Sequence, residues 1–190
     1  MKKKKQYNHV LGIDIGGATR MGVALTDNNT KRLIYQSSIK RRDVKTNLEH
    51  RMNLVNEIHN ILNKYPIDII LIESIRLFSY GRIQMSTILS LQKVHTTLVN
   101  EFSDIVDIYQ IDVRSWKAKV LGNGNADKNE SIRYVQNKYP EIELIDEIVK
   151  PIKKEIVLEL NSDLADAICI SECLKFDDSI LKNTNKLNYT

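Results

Sequence analysis

What the chain has little of narrows it first. It carries two cysteines, Cys169 and Cys173, one helical turn apart. No Cys or His pair completes a zinc site with them, so they read as small buried apolar residues of a reducing compartment. No apolar run approaches the length of a membrane span, and the basic start Lys2–Lys5 is not followed by a signal-peptide core, so a cytoplasmic location is expected. Proline is scarce, and Pro66 and Pro140 each follow a helical pattern as a stop. Excess charge of one sign is slight: 28 Lys and Arg against 24 Asp and Glu leave +4. That balance permits a polyanionic partner without requiring one. The 42% hydrophobic content excludes wholesale disorder, and 190 residues suffice for one domain with a sizeable core.

What is there is organised around Val10–Leu25, VLGIDIGGATRMGVAL. Val10 to Ile15 is apolar on both faces apart from Asp14, as a central strand is. Gly16 and Gly17 break it, and Met21, Val23 and Leu25 alternate as a returning strand. Lys31 to Ile39 reads as a third, antiparallel strand. Thr46–Lys64 has helical spacing, Ile67–Ile72 reads as a buried strand ending at Glu73, a long helix runs to about Phe102, and Ile105–Ile111 reads as a fifth strand. Val113–Leu121 is ambiguous. Gly122 and Gly124 form a turn, Ala126–Lys138 is helical, and Glu141–Glu159 resists placement. Ser162 suits the N-cap of a last helix, Asp163–Leu174.

This order predicts an α/β fold. Its mixed five-stranded sheet has three antiparallel strands and then parallel ones, flanked by helices. Residues 1–8 are expected as a basic tail, 9–175 as the domain and 176–190 as a flexible tail. A right-handed crossover sets the Ile67–Ile72 strand parallel to Val10–Ile15, and if the two are neighbours Asp14 and Glu73 emerge near each other. Asp163 and Asp166 share one helical face, and Ala165 and Ala167 let that helix lie close to a sheet. Each acid alone has an ordinary explanation: a turn bond for Asp14, solvent for Glu73, the helix dipole for Asp163. Together, four acids repel, and divalent cations resolve the conflict. Oxygen ligands favour magnesium or manganese, and paired ions of that kind serve phosphodiester hydrolysis.

Four blocks carry a family resemblance: VLGIDIGGATRMGVAL, IILIES, GNGNADK at Gly122–Lys128 and DLADAICIS at Asp163–Ser171. In this order they resemble the RuvC family of Holliday-junction resolvases, with a ribonuclease-H-like fold. The resemblance is closer to phage resolvases than to housekeeping ones, which implies a bacterial host cell. It implies that Asp14, Glu73, Asp163 and Asp166 are the metal-binding catalytic carboxylates, with Mg2+ as cofactor and Mn2+ as a substitute. It implies that Lys128 assists catalysis and binds DNA, and that Lys117 also binds DNA. In Arg76–Arg82, RLFSYGR, the residue Arg76 stands about where relatives place an aromatic side chain at the junction centre; Phe78, Tyr80 and Arg82 join it as DNA contacts. Branched DNA, above all the four-way junction, is the implied substrate, nicked symmetrically by a homodimer. The helix around Ile88–Phe102 is the candidate interface, although its apolar side equally suits ordinary core, the commoner fate of any single residue there.

Other readings compete. A nuclease on flaps, forks or branched DNA keeps the same acids. A catalytically inactive DNA-binding module would not need all four. IDIGG followed by a basic residue and GVAL also suits an actin-like sugar kinase. Such kinases need further glycine-rich loops, however, and none of the seven glycines lies beyond Gly124.

Overall fold

The computed structural model describes residues 7–16, 20–40, 46–75, 85–149, 156–176, 180–181 and 185–187. The chain opens with three strands, β1 (His9–Asp14), β2 (Arg20–Asp27) and β3 (Arg32–Lys40). Helix α1 (Asn47–Leu62) begins at Thr46, which exchanges a reciprocal capping box with Glu49. Then come β4 (Ile69–Glu73), α2 (Met85–Phe102) and β5 (Asp107–Ile111).

The ambiguous Val113–Leu121 is a helix, α3. Asp112 accepts from the N–H groups of Arg114 and Ser115 at its start, and Gly122 closes it at φ 74°. Those caps decide a segment whose apolar spacing alone does not. Helix α4 (Lys128–Lys138) starts on a second capping box, Asp127 with Glu130.

The main sheet has the order β3-β2-β1-β4-β5, antiparallel through β3, β2 and β1 and parallel from β1 to β4 and β5. This is the expected five-stranded mixed sheet. One further strand, β8 (Asn185–Lys186), adds antiparallel to β5 through Gln110 and Tyr109. Ile180 is buried in the core, and Lys186 Nζ meets Asp107 Oδ1 at 2.6 Å. The described residues of the expected flexible tail are therefore tied down, by apolar burial and by an open sheet edge that composition does not reveal.

Glu141–Glu159 resolves into two strands, β6 (Ile145–Val149) and β7 (Ile156–Leu160), paired antiparallel outside the main sheet. The Asn161 N–H bonds Leu144 O at 2.8 Å and closes the base of this ribbon. Ile145, Leu158 and Leu160 remain exposed, so burial gives no alternation to read.

Two cores flank the sheet. Leu11, Ile13, Val23, Leu25, Ile70 and Ile72 face α1 and α2, meeting Leu54, Ile58, Leu98 and Phe102. Val10, Ala24, Ile69 and Leu71 face α3, α4 and the last helix, α5 (Ser162–Phe176). The alternation along β1 and β4 serves both layers, and each fully buried Leu or Ile contributes roughly 1.5–3 kcal/mol relative to exposure. On α2, Ile88, Val94, Leu98 and Phe102 are buried within the molecule, whereas Met85 and Leu89 are exposed. Most of the apolar side of this helix is thus core, the other fate open to it from the sequence.

Candidate active site

The site depends on how closely α5 approaches the sheet. A Cβ at Gly12 would stand 2.4 Å from Ala167 O and from Ser171 N; one at Gly22 would stand 2.1 Å from Asp163 O. Neither contact is physically possible, so β1 and β2 meet the helix backbone directly. Ala165 and Ala167 are fully buried in this contact, and Thr26 Oγ1 donates to Ser171 O at 2.7 Å. The helix is capped by Asn161, not by Ser162 as expected: Asn161 Oδ1 accepts from the Leu164 N–H at 3.0 Å. The first turn of α5 is thereby pinned beside the end of β1.

Asp14 ends β1 and Glu73 ends β4. The parallel register pairs Ile13 with Ile72, so the two acids follow at the same sheet edge. Asp14 Oδ1 accepts the Gly16 N–H at 2.8 Å, so the turn bond exists, yet it leaves the charge unmatched. Burial raises the Asp14 carboxyl well above its usual range, and Glu73, Asp166 and Asp163 raise it further. All three of the other acids therefore lie near enough to act on Asp14 through space.

Asp166 is buried and also raised, first by burial and further by Asp163; Ser131, Lys117 and Lys128 pull it back. Its Oδ1 is buried without a hydrogen-bond partner. Asp163 is better matched: Arg20 Nε lies 3.5 Å from Oδ2 and Lys128 Nζ 3.7 Å from Oδ1. These are charge contacts longer than hydrogen bonds. Glu73 Oε2 receives Trp116 Nε1 at 3.2 Å.

Lys128, the first residue of α4, sits where the helix dipole disfavours a cation. Asp163 offsets that cost, and Nζ also reaches Ser162 Oγ at 3.3 Å. Lys117 is buried rather than presented to solvent: its Nζ donates to Ala126 O at 2.6 Å, and its charge acts on Asp166. Arg76, Phe78, Tyr80 and Arg82 lie outside the described residues. Sequence reasoning missed Arg20, whose pairing partner is distant in the chain, and Trp116, whose neighbour Lys117 drew the attention.

The four acids thus converge at one sheet edge against the start of α5. Among the described residues, no three His, Cys, Asp or Glu side chains are already drawn together as a ligand shell for a metal ion. Unshielded carboxylates repel, which opposes such closure until a cation joins them. The donor set suits that role: all-oxygen, with Asp14, Asp163 and Asp166 buried, Glu73 half-buried and one orphaned acceptor on Asp166.

Comparisons with known proteins identify the family and the fold. The family model described as Crossover junction endodeoxyribonuclease RuvC matches residues 10–173. The fold is similar to a Thermus thermophilus RuvC structure at a TM-score of 0.63 and 20% identity, covering 94% of this chain and 99% of that one. The T. thermophilus RuvC structure in complex with a Holliday junction substrate matches with the same values, TM-score 0.63, 20% identity, and 94% and 99% coverage. No curated protein sequence matches the chain.

Proposed function

Because the chain belongs to the crossover junction endodeoxyribonuclease RuvC family, and is thus a junction-resolving, metal-dependent nuclease, we propose that Asp14, Glu73, Asp163 and Asp166 hold the metal at which the junction strand is cut. The observation that carries this assignment is the placement of Asp14 and Glu73 at neighbouring parallel strand ends beside the start of α5, where Asp14 and Asp166 are buried and Asp166 Oδ1 has no partner. Asp166, with its unpartnered oxygen, supplies an open ligand position. The cation is Mg2+, with Mn2+ as a substitute, because hard cations take oxygen donors. When bound, such an ion polarises the phosphodiester and lowers the pKa of an attacking water.

The chain's own groups do the rest. Arg20 partly neutralises Asp163 and keeps the helix start from repelling a phosphate. Lys128, largely exposed and beside Ser162 and Asp163, is placed to meet a DNA phosphate and support cleavage. Lys117, buried against Ala126 O, acts on the site from within, through Asp166. Arg76, Phe78, Tyr80 and Arg82 contact the junction's open centre, the aromatics by stacking. Phosphate contacts supply most of the affinity, so binding falls steeply with salt.

The enzyme acts as a homodimer that nicks two strands of a four-way junction symmetrically, since a two-fold protein suits a two-fold substrate. It works in the cytoplasm of a bacterial host, as a resolvase of phage type. Among the described residues no helix is long and apolar enough to cross a membrane.

The test is incubation of the purified protein with a labelled, immobile four-way junction, with and without Mg2+. Paired symmetric nicks that appear only with the metal are expected. Equal cutting in chelator would overturn the metal assignment. Preferential cutting of forks or flaps would overturn the junction preference.

A further inference from the structure

Trp116 is the single tryptophan of the chain and is fully buried. A buried indole N–H seeks an acceptor. Here it finds the Glu73 carboxylate, with Nε1 to Oε2 at 3.2 Å. The donor is placed by rigid parts. Trp116 lies in the first turn of α3, its own N–H bonded to Asp112 O at 3.1 Å, and its ring packs in the core under α5. Glu73 is fixed at the main chain as well: it pairs with Ile111 of β5, and the next residue, Ser74, donates to Ile111 O at 2.9 Å. The sharp passage from Ile111 through Asp112 into α3 therefore holds both the strand end and its indole partner in one local unit.

We propose that Trp116 is a positioning residue for Glu73: its N–H fixes which way the carboxylate presents its oxygens to the metal, and its emission registers the arrival of the ion. The inference rests on Glu73 being a metal ligand. Groups that hydrogen-bond a ligand from outside orient it and tune its basicity, and losing one costs roughly 10–100-fold in metal affinity or activity. Ring packing alone would be kept in good part by phenylalanine; the N–H would not.

The experiment uses the full chain without DNA. Mg2+ alone is titrated against tryptophan emission, and Mn2+ alone is titrated by calorimetry. The wild type is expected to change emission on saturation, and Glu73→Gln to abolish the change. Trp116→Phe, its fold checked by circular dichroism, is expected to bind Mn2+ roughly 10–100-fold more weakly. It should bind a four-way junction in chelator as the wild type does. Wild-type Mn2+ affinity in Trp116→Phe, or unaltered emission in a protein that calorimetry shows to bind metal, would overturn the inference while leaving the metal site standing. No calorimetric binding to the wild type would overturn both. If Trp116→Phe fails to fold, the emission response and its loss in Glu73→Gln decide the matter.

Discussion

The two ends of α5 bury acids of the same kind and treat them in opposite ways. At its start, Asp166 keeps an unpartnered oxygen, and burial together with Asp163 lifts its carboxyl above the usual range. Ten residues past Ser162, Glu172 is fully buried, and burial alone would raise it too. Yet Lys138 and Lys175 each donate to it at 2.7 Å, Tyr134 at 2.6 Å, and Tyr139 joins them. Those four donors more than offset burial and leave Glu172 lowered. Its carboxylate is a structural anchor joining α4 to α5. Burial of an acid therefore does not by itself mark a site; what separates these two acids is that one is fully partnered and the other is not.

The largest expected consequence tests the unmet end. On the proposed metal assignment, Asp14→Asn or Asp166→Asn is expected to lower cleavage by several kcal/mol of transition-state stabilisation, roughly a thousandfold or more. Junction binding in a gel-shift assay should stay near the wild type. Full cutting by either variant would erase the distinction between the two ends of the helix. Next comes the satisfied end. Glu172→Gln leaves two buried or half-buried ammonium groups short of a counter-charge, costing about 3–5 kcal/mol of stability. Denaturant melts should register that loss, while the cleavage rate of the folded fraction stays unchanged.

A third effect concerns pH. Asp14 and Asp166 are held above the ordinary carboxylate range. In the metal-free chain they retain protons that the unfolded chain has already lost, so their ionisation weakens the fold as pH rises past about 4. Glu172 is lowered, so its stabilisation is present above its unfolded pKa and is lost only as pH falls through its folded value. The metal-free Tm should therefore decline from weakly acidic to neutral pH, with a shallower decline in Asp14→Asn. Equal slopes in the two proteins would mean that neither burial nor the neighbouring acids hold Asp14 above the ordinary range. The smallest effect is that of Lys128→Ala. Its side chain is 69% exposed, so the ion pair with Asp163 contributes about 0–1 kcal/mol and the Tm should barely move. Cutting should slow clearly, and an unchanged rate would return Lys128 to the ordinary surface.

Much of this was legible beforehand, for reasons that particular residues make plain. Asp14 and Glu73 stand at the ends of apolar runs whose length and flanking breaks define strands, and Asp163 and Asp166 stand three apart in a run whose alanines allow close packing. Type and spacing suffice for such statements. They failed for Val113–Leu121, where the caps Asp112 and Gly122 rather than the apolar pattern define α3. They also failed for the β6–β7 ribbon and for Asn185–Lys186, whose partners are an isolated strand and an open sheet edge. Gly12 and Gly22 looked like strand residues and proved to be the contact surface for α5. Nothing local distinguished Glu172 from an exposed helical glutamate, because its donors Tyr134, Lys138 and Tyr139 come from α4 and its end.

The first five strands, the helices between them and the mixed order of the main sheet were legible in the amino-acid sequence alone, because periodicity and chain breaks act over a few residues. Which acid stays hungry and which is sated, that Lys117 turns inward, and that an indole grips Glu73 were decided by the folded molecule alone. Charge and hydrogen bonding act through space over a few ångströms, and only folding brings residues forty apart within that reach.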